Sequence, residues 1–211
     1  MDDIEIAVEV YNMKNGTKIL IGVLVAIVVI ALLIFSWVAS TYNRLVTVDE
    51  SVKQKWGNVQ SAYQRRADLI PNLVETVKGY RDYEASTLTA ITQLRSEAGQ
   101  AKIQVDSATT PEQLEAASGS MNGVLSRLLV IVENYPDLKA SENFLSLQDE
   151  LAGTENRIKV ERDNYNVAVK DFNIVARRFP SNTIAGMFGF GKKTAFAAAA
   201  GAENVPTVSF T

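Results

Sequence analysis

Three groups of residues in this chain have types and spacings that could do chemistry. The first is polar. Glu84, Thr154 and Glu161 fall at positions where apolar spacing expects a core, with Asn156, Arg157, Arg162, Asn166 and Asn173 beside them. Buried charge is costly unless it is paired and hydrogen-bonded. These residues therefore read as a polar layer that fixes helix register, or as the edge of the apolar stripe. Their chemical alternative is a carboxylate site for a hard cation, which would need several converging oxygens. The second group, Gly186-Met187-Phe188-Gly189-Phe190-Gly191-Lys192-Lys193-Thr194, approximates a phosphate-binding loop. It fails where Ser or Thr must follow the lysine, because Lys193 stands there, and no apolar strand precedes it. The third is Arg65-Arg66-Ala67-Asp68-Leu69-Ile70-Pro71-Asn72. It reads as a helix end with an Asp68–arginine pair, or as an exposed docking corner made by Arg65, Arg66, Asp68, Pro71 and Asn72.

What the chain lacks is equally informative. There is no His and no Cys among its 211 residues. Ser-His-Asp and Cys-His nucleophile systems, ordinary zinc sites and the Glu-x-x-His di-iron pattern are excluded. Ser120, Ser126 and Ser181 sit in no recognisable nucleophile motif. No residue is assigned as catalytic, cofactor-binding or metal-ligating, no cofactor is expected, and the chain is not expected to be an enzyme. Beyond Ser40 there are 19 basic and 20 acidic residues, so the electrostatic footprint of a nucleic-acid binder is missing.

The elements that would position these groups are dominated by one stretch. From Ile19 to Ala39 the chain reads ILIGVLVAIVVIALLIFSWVA, without a charge. A helix rising about 1.5 Å per residue needs roughly 20 apolar residues to cross a bilayer core of about 30 Å. Trp37 and Tyr42 follow, where amphipathic rings favour the headgroups. The run exceeds the h-region of a signal peptide and is expected to remain as an anchor. Lys14 and Lys18 precede it; Arg44, Lys53 and Lys55 follow. That balance gives an inside N-terminus with the globular part outside the cytoplasm. The acidic head MDDIEIAVEVYN is unlike the rest, and the expectation is that Met13 is the natural start or that the preceding tail is an add-on.

After the anchor the spacing is helical. Leu45, Val48, Val52, Trp56, Val59, Tyr63, Ala67, Ile70 and Val74 form an eleven-residue repeat, about 3.67 residues per turn. The chain is expected to turn back at Pro71, with a kink there and a turn near Gly79 as the alternative. A second stripe runs Leu73, Val77, Tyr80, Ile91, Leu94, Ala98, Ala101 and Val105. The third opens on the capping box Thr110-Pro111-Glu112-Gln113 and runs Leu114, Ala117, Met121, Val124, Leu128, Ile131 and Tyr135. The fourth, capped by Ser141, runs from Phe144 to Phe179. The expected fold is all-α: a transmembrane helix followed by an antiparallel up-and-down four-helix bundle. Its divisions are a tail at 1–18, a span at 19–40, a bundle at 41–180 and a C-terminal tail at 181–211. Up-and-down order returns that tail towards the bilayer. Ile184, Met187, Phe188, Phe190, Lys192, Lys193 and Phe196 then either contact the membrane surface or pack against the bundle base. Ala195–Ala202 reads as short helix or loose tail.

Several of these segments resemble the LemA family of bacterial membrane proteins. They are Tyr42-Asn43 with Leu45-Val46, Arg65 through Tyr80, Glu133 through Lys139, Thr154 through Ile158, Tyr165-Asn166 with Val169, Phe179-Pro180, Phe188-Gly189-Phe190 and Val208-Ser209-Phe210. The resemblance runs from the span to the C-terminus, and the acidic head is its main departure. It implies an anchored antiparallel four-helix domain in the bacterial cytoplasmic (inner) membrane, with no settled activity. It also implies a short N-terminus outside the cell, opposite to the charge reading.

Together these readings give a single-pass membrane scaffold or interaction module. The expected partners are the lipid bilayer and further copies of the chain, through Trp56, Tyr63 and the Gly22–Ala26 small-xxx-small spacing in the span. An adaptor for another membrane protein, in quality control or signalling, and a role in membrane organisation or remodelling are the alternatives. Neither nucleic acid nor a small-molecule substrate is expected.

Overall fold

The computed structural model describes residues 2–80 and 83–197, with side chains from Gly16 onward. The acidic head's side chains and the Ala198–Ala202 and Val208–Phe210 segments lie outside the described residues. Among the described residues six helices follow in order: α1 (Asp2–Lys78), α2 (Ala85–Ser107), α3 (Pro111–Glu133), α4 (Pro136–Lys139), α5 (Glu142–Arg177) and α6 (Ser181–Met187). No strand occurs among the described residues, so the all-α expectation holds. The chain divides into two compact units. One comprises Met1–Thr47 with Val175–Gly191, the other Val48–Ile174 with Lys192–Thr211.

In the first unit the apolar run is helical, and its large side chains from Ile19 to Phe35 are exposed. An open apolar helix of this length has the composition of a membrane anchor. Buried in this unit are Leu45, Val175, Ala176, Ile184 and Ala185. Tyr42 packs its ring on Phe188 at 4.8 Å and on Phe190 at 5.9 Å. The segment after α6 therefore rests against α1 a few residues past the apolar run. Gly189 makes that bend with φ +74°, a left-handed conformation that glycine adopts without a Cβ penalty.

The second unit holds the bundle core. Val52, Val59, Tyr63, Ala67, Ile70 and Val74 are buried along α1, as the eleven-residue repeat requires. The turn expected at Pro71 is not there. Helix α1 runs through it to Lys78, and the chain turns at Gly79, whose N–H donates to Glu75 O at 3.0 Å. An interior proline costs about 3 kcal/mol. Beyond it Leu73, Val74 and Val77 are all fully buried, each contributing about 1.5–3 kcal/mol. Burial wins, so Leu73 and Val77 belong to α1 and not to the second stripe.

The remaining stripes hold with small shifts. Ile91, Leu94, Ala98, Ala101 and Val105 are buried on α2. Glu84 is exposed as the residue before α2 rather than set in a core. On α3 the Thr110 side chain accepts from Gln113 N at 3.3 Å, and Gln113 Oε1 accepts from Thr109 N at 2.8 Å. The cap is therefore shared between two threonines. At the end of α3, Val132 is buried in place of Ile131. A straight helix drifts from a strict seven-residue repeat, so the stripe advances by four there instead of three. Pro136 opens the single turn α4 before Ser141 Oγ caps α5 by accepting from Phe144 N. Phe179 lies past the end of α5 and is 81% exposed, outside the stripe expected for it.

Cross-helix pairs give the order of packing. Glu75 and Asp68 of α1 meet Arg95 and Lys102 of α2. Asn58 and Arg65 of α1 meet Glu161 and Glu150 of α5. In both cases one number rises as the other falls, so each pair of helices is antiparallel. Glu97 of α2 meets Arg127 of α3, and Glu115 of α3 meets Arg162 of α5. This circuit is consistent with an antiparallel four-helix bundle. At the turn end, Tyr80, Tyr83 and Tyr135 cluster edge to face at 4.7–5.9 Å. Burial, with the neighbouring tyrosines behind it, pushes the Tyr83 hydroxyl up to about 12.

Candidate functional site

The most organised polar structure is a strap, residues 192–197, lying along α5 within the second unit. The strap has no regular hydrogen bonds of its own, so its backbone polar groups need partners. Two asparagines supply them. Asn173 Nδ2 donates to Lys193 O at 2.9 Å, and its Oδ1 accepts from Lys193 N at 3.0 Å. One heptad earlier, Asn166 Nδ2 donates to Phe196 O at 3.3 Å and its Oδ1 accepts from Phe196 N at 2.8 Å. Each amide side chain closes a two-bond ring with one residue of backbone. Between them the Tyr165 hydroxyl donates to Thr194 O at 3.0 Å.

Side chains fix the strap at both ends. Phe196 is buried, stacked on Trp56 at 6.1 Å, edge-on to Tyr165 at 5.5 Å and under the Arg162 guanidinium at 4.7 Å. Lys193 Nζ reaches Asp49 at 2.8 Å and lies 5.2 Å from the centre of the Phe172 ring. Asp49 is buried and also meets Lys53 at 3.0 Å. Burial alone would raise its carboxyl pKa, but the lysines at 193 and 53 outweigh that and hold it below the usual carboxylate range.

Where the strap reaches Ala197 it opens on a cleft of about 890 Å³, walled by α1, α3 and α5. Arg66 forms part of the wall although the residue is only 5% exposed. Its Nη2 lies 2.7 Å from Asn122 Oδ1 and 3.5 Å from Glu155 Oε2, while its Nε–H has no partner.

The five docking-corner residues lie along α1 and not at a turn. Arg65 pairs with Glu150 on α5, Asp68 with Lys102 on α2, and Arg66 points into the protein. Pro71 is inside a helix, and Asn72 is exposed nearly two turns before its end. Residues at these positions on one helix face different neighbours because a helix turns 100° per residue. The membrane-contact set divides. Ile184 is buried within the first unit and Phe196 within the second, and Lys193 is committed to Asp49. Met187, Phe188 and Lys192 are exposed, and Phe190 is half-buried against Tyr42. Of the two residues expected to make lateral contacts, one is buried and the other half-buried. Tyr63 is 1% exposed and Trp56 lies under the strap.

The polar layer is structural in form. Thr154 Oγ1 donates to Leu151 O of its own helix, and Glu161 accepts from Asn58 and Asn164. No group of three or more Asp or Glu poised for a metal occurs among the described residues. The glycine-rich segment is no phosphate cradle: α6 fills its start and Lys193 is already paired. Ser120 and Ser181 donate to backbone carbonyls of Ala116 and Val175. Sequence reasoning placed Asn166 and Asn173 beside the core but missed their role. Their seven-residue spacing was the available signal.

The LemA family profile matches residues 55–210. That stretch contains every strap-binding residue of α5 and the strap itself. The chain belongs to the LemA family. Protein LemA of Metamycoplasma hominis is 30% identical over 81% of this chain and 75% of its own length. Magnetosome protein MamQ 2 of Paramagnetospirillum magneticum is 27% identical over 74% of this chain and 64% of its own. Magnetosome protein MamQ of Magnetospirillum gryphiswaldense is 26% identical over 81% and 70%. The chain therefore spans less than two thirds of MamQ 2.

Proposed function

We propose that this LemA-family protein is a single-pass membrane-anchored scaffold that assembles with its own copies at the membrane, working by contact and not by catalysis. The observation that carries the reading is the open apolar helix from Ile19 to Phe35, joined in one chain to a helical unit. Side chains that hydrocarbon would cover are bare over its whole length.

Two features support lateral assembly. A Cβ built at Gly22 meets nothing within 4 Å, so the small face Gly22–Ala26 is free for a second helix. On α5, Val160, Val167 and Ile174 are about half exposed at seven-residue spacing, opposite the buried Ile158, Tyr165 and Phe172. Apolar residues repeated on an outward face suit helix-to-helix contact.

The test is size. Full-length protein extracted in mild detergent should run as one homogeneous species larger than a monomer, and Val160→Glu with Val167→Glu should shrink it. A monomer at all concentrations defeats the proposal. Stoichiometric co-purification of a different protein would favour the adaptor reading instead.

A further inference from the structure

We propose that the turn after α5, together with α6 and the bend behind it, forms a foot that stands on anionic lipid headgroups beside the anchor. This deepens the anchored reading above and rests on it. Every residue of the foot belongs to the first unit. Phe179 is 81% exposed, Met187 74% and Phe188 52%, all within ten residues of chain. The segment that carries them is tied down. Ser181 Oγ donates to Val175 O at 2.6 Å, Ile184 and Ala185 are buried, and Phe190 N–H donates to Ala185 O at 2.9 Å. A fixed segment that holds three large apolar side chains open is unfavourable in water, and a bilayer interface would cover them.

The anchor gives the foot its level. Tyr42 stands three residues, about 4.5 Å, past Ala39, where the apolar run ends. The headgroup layer on each side of the hydrocarbon is about 5–7 Å deep. Phe188 packs on Tyr42 at 4.8 Å, so its ring falls in that layer, where amphipathic and aromatic side chains are favoured. Charge gives the lipid class. Arg44, Arg177 and Arg178 are exposed, and the side chains described in this unit include no carboxylate. Among the described residues every ion pair lies in the second unit, which leaves these three guanidinium groups for an anion outside the chain. Each basic residue beside an anionic bilayer surface strengthens binding about fivefold, so three give roughly 100-fold.

The absence of cysteine lets a single thiol report. Met187→Cys is made the sole thiol of the full chain, labelled with bimane and placed in lipid nanodiscs whose phosphatidylcholine carries a spin label near the headgroup. Ile27→Cys, in the span, and exposed Ser96→Cys, on α2, are labelled alike. Discs of phosphatidylcholine alone are compared with discs containing about one third phosphatidylglycerol. In the anionic discs emission at position 187 should fall about twofold or more, with position 96 unquenched, and neutral discs should quench it less. Arg177→Gln with Arg178→Gln should remove that difference, since two arginines carry about 25-fold of the preference. Phe179→Cys is a second reporter should Met187→Cys fold poorly. Quenching at position 27 without quenching at 187 overturns the foot and leaves the anchor standing; no quenching at either overturns both. Equal quenching in the two kinds of disc, or no change on removing the two arginines, overturns the lipid class and with it the proposal. Shielding at 187 that appears in detergent and grows with protein concentration assigns the face to a second copy, and also overturns it.

Discussion

Asn173→Ala offers the sharpest check on the strap. The side chain makes two hydrogen bonds to Lys193, at 2.9 and 3.0 Å. A hydrogen bond contributes about 1 kcal/mol net, so losing both should cost about 2 kcal/mol of strap binding, or roughly 30-fold in the open population. Leaving the Lys193 N–H and C=O unpaired against the bundle makes this a lower bound. Trypsin reads the population directly, because Lys193 cannot enter a protease site while both its backbone groups are held. When opening is fast relative to cleavage, the rate follows the open fraction. Cutting after Lys193, followed by mass spectrometry, should therefore quicken about 30-fold in Asn173→Ala. Asn166→Ala should give a similar factor, and the double variant up to about 1000-fold. Cleavage after Lys102, on α2, should stay slow and mark an intact bundle. Asn173→Asp keeps the acceptor and loses the donor, so it should fall between. A rise below threefold in Asn173→Ala, with the bundle still resistant, would refute the argument that the amide rings hold the strap.

Two further outcomes follow from the packing. Pro71→Ala should stabilise the protein by about 1–3 kcal/mol in urea unfolding, since an interior proline breaks a helical hydrogen bond that alanine restores; destabilisation would restore the turn that α1 displaces. Asp49 has its folded pKa held below the ordinary 3.8, so its contribution is complete above that value and is lost as pH falls through the lowered one. Asp49→Asn should cost about 1–3 kcal/mol at pH 7 and flatten the acid side of the stability profile; parallel profiles for the two proteins would deny the lysine clamp its role.

Much of the fold was legible because helix packing writes itself into apolar spacing. The stripe from Val52 to Val74 could be read from residue types alone, as could the Thr110 and Ser141 caps. Pro71 misled because its local preference is strong, whereas the burial of Leu73, Val74 and Val77 beyond it is a property of the whole core. Local rules could not weigh one against the other. Arg66 misled for a related reason: two adjacent arginines look alike in sequence, but one helical step of 100° sends Arg65 to a surface pair and Arg66 into the protein.

The strap was hidden for a different reason. An amide that pairs with another segment's backbone leaves no pattern in that segment, because the backbone is the same for every residue. Asn166 and Asn173 therefore advertise only half of the interaction, and Lys193 and Phe196 look like a basic-aromatic surface until their partners are known. The seat is therefore indifferent to the strap's side chains except where Phe196 packs on Trp56 and Tyr165 and where Lys193 meets Asp49. Changing Asn166 or Asn173 should thus alter how tightly the strap's backbone is held, whereas changing Trp56 or Asp49 should loosen one end of it.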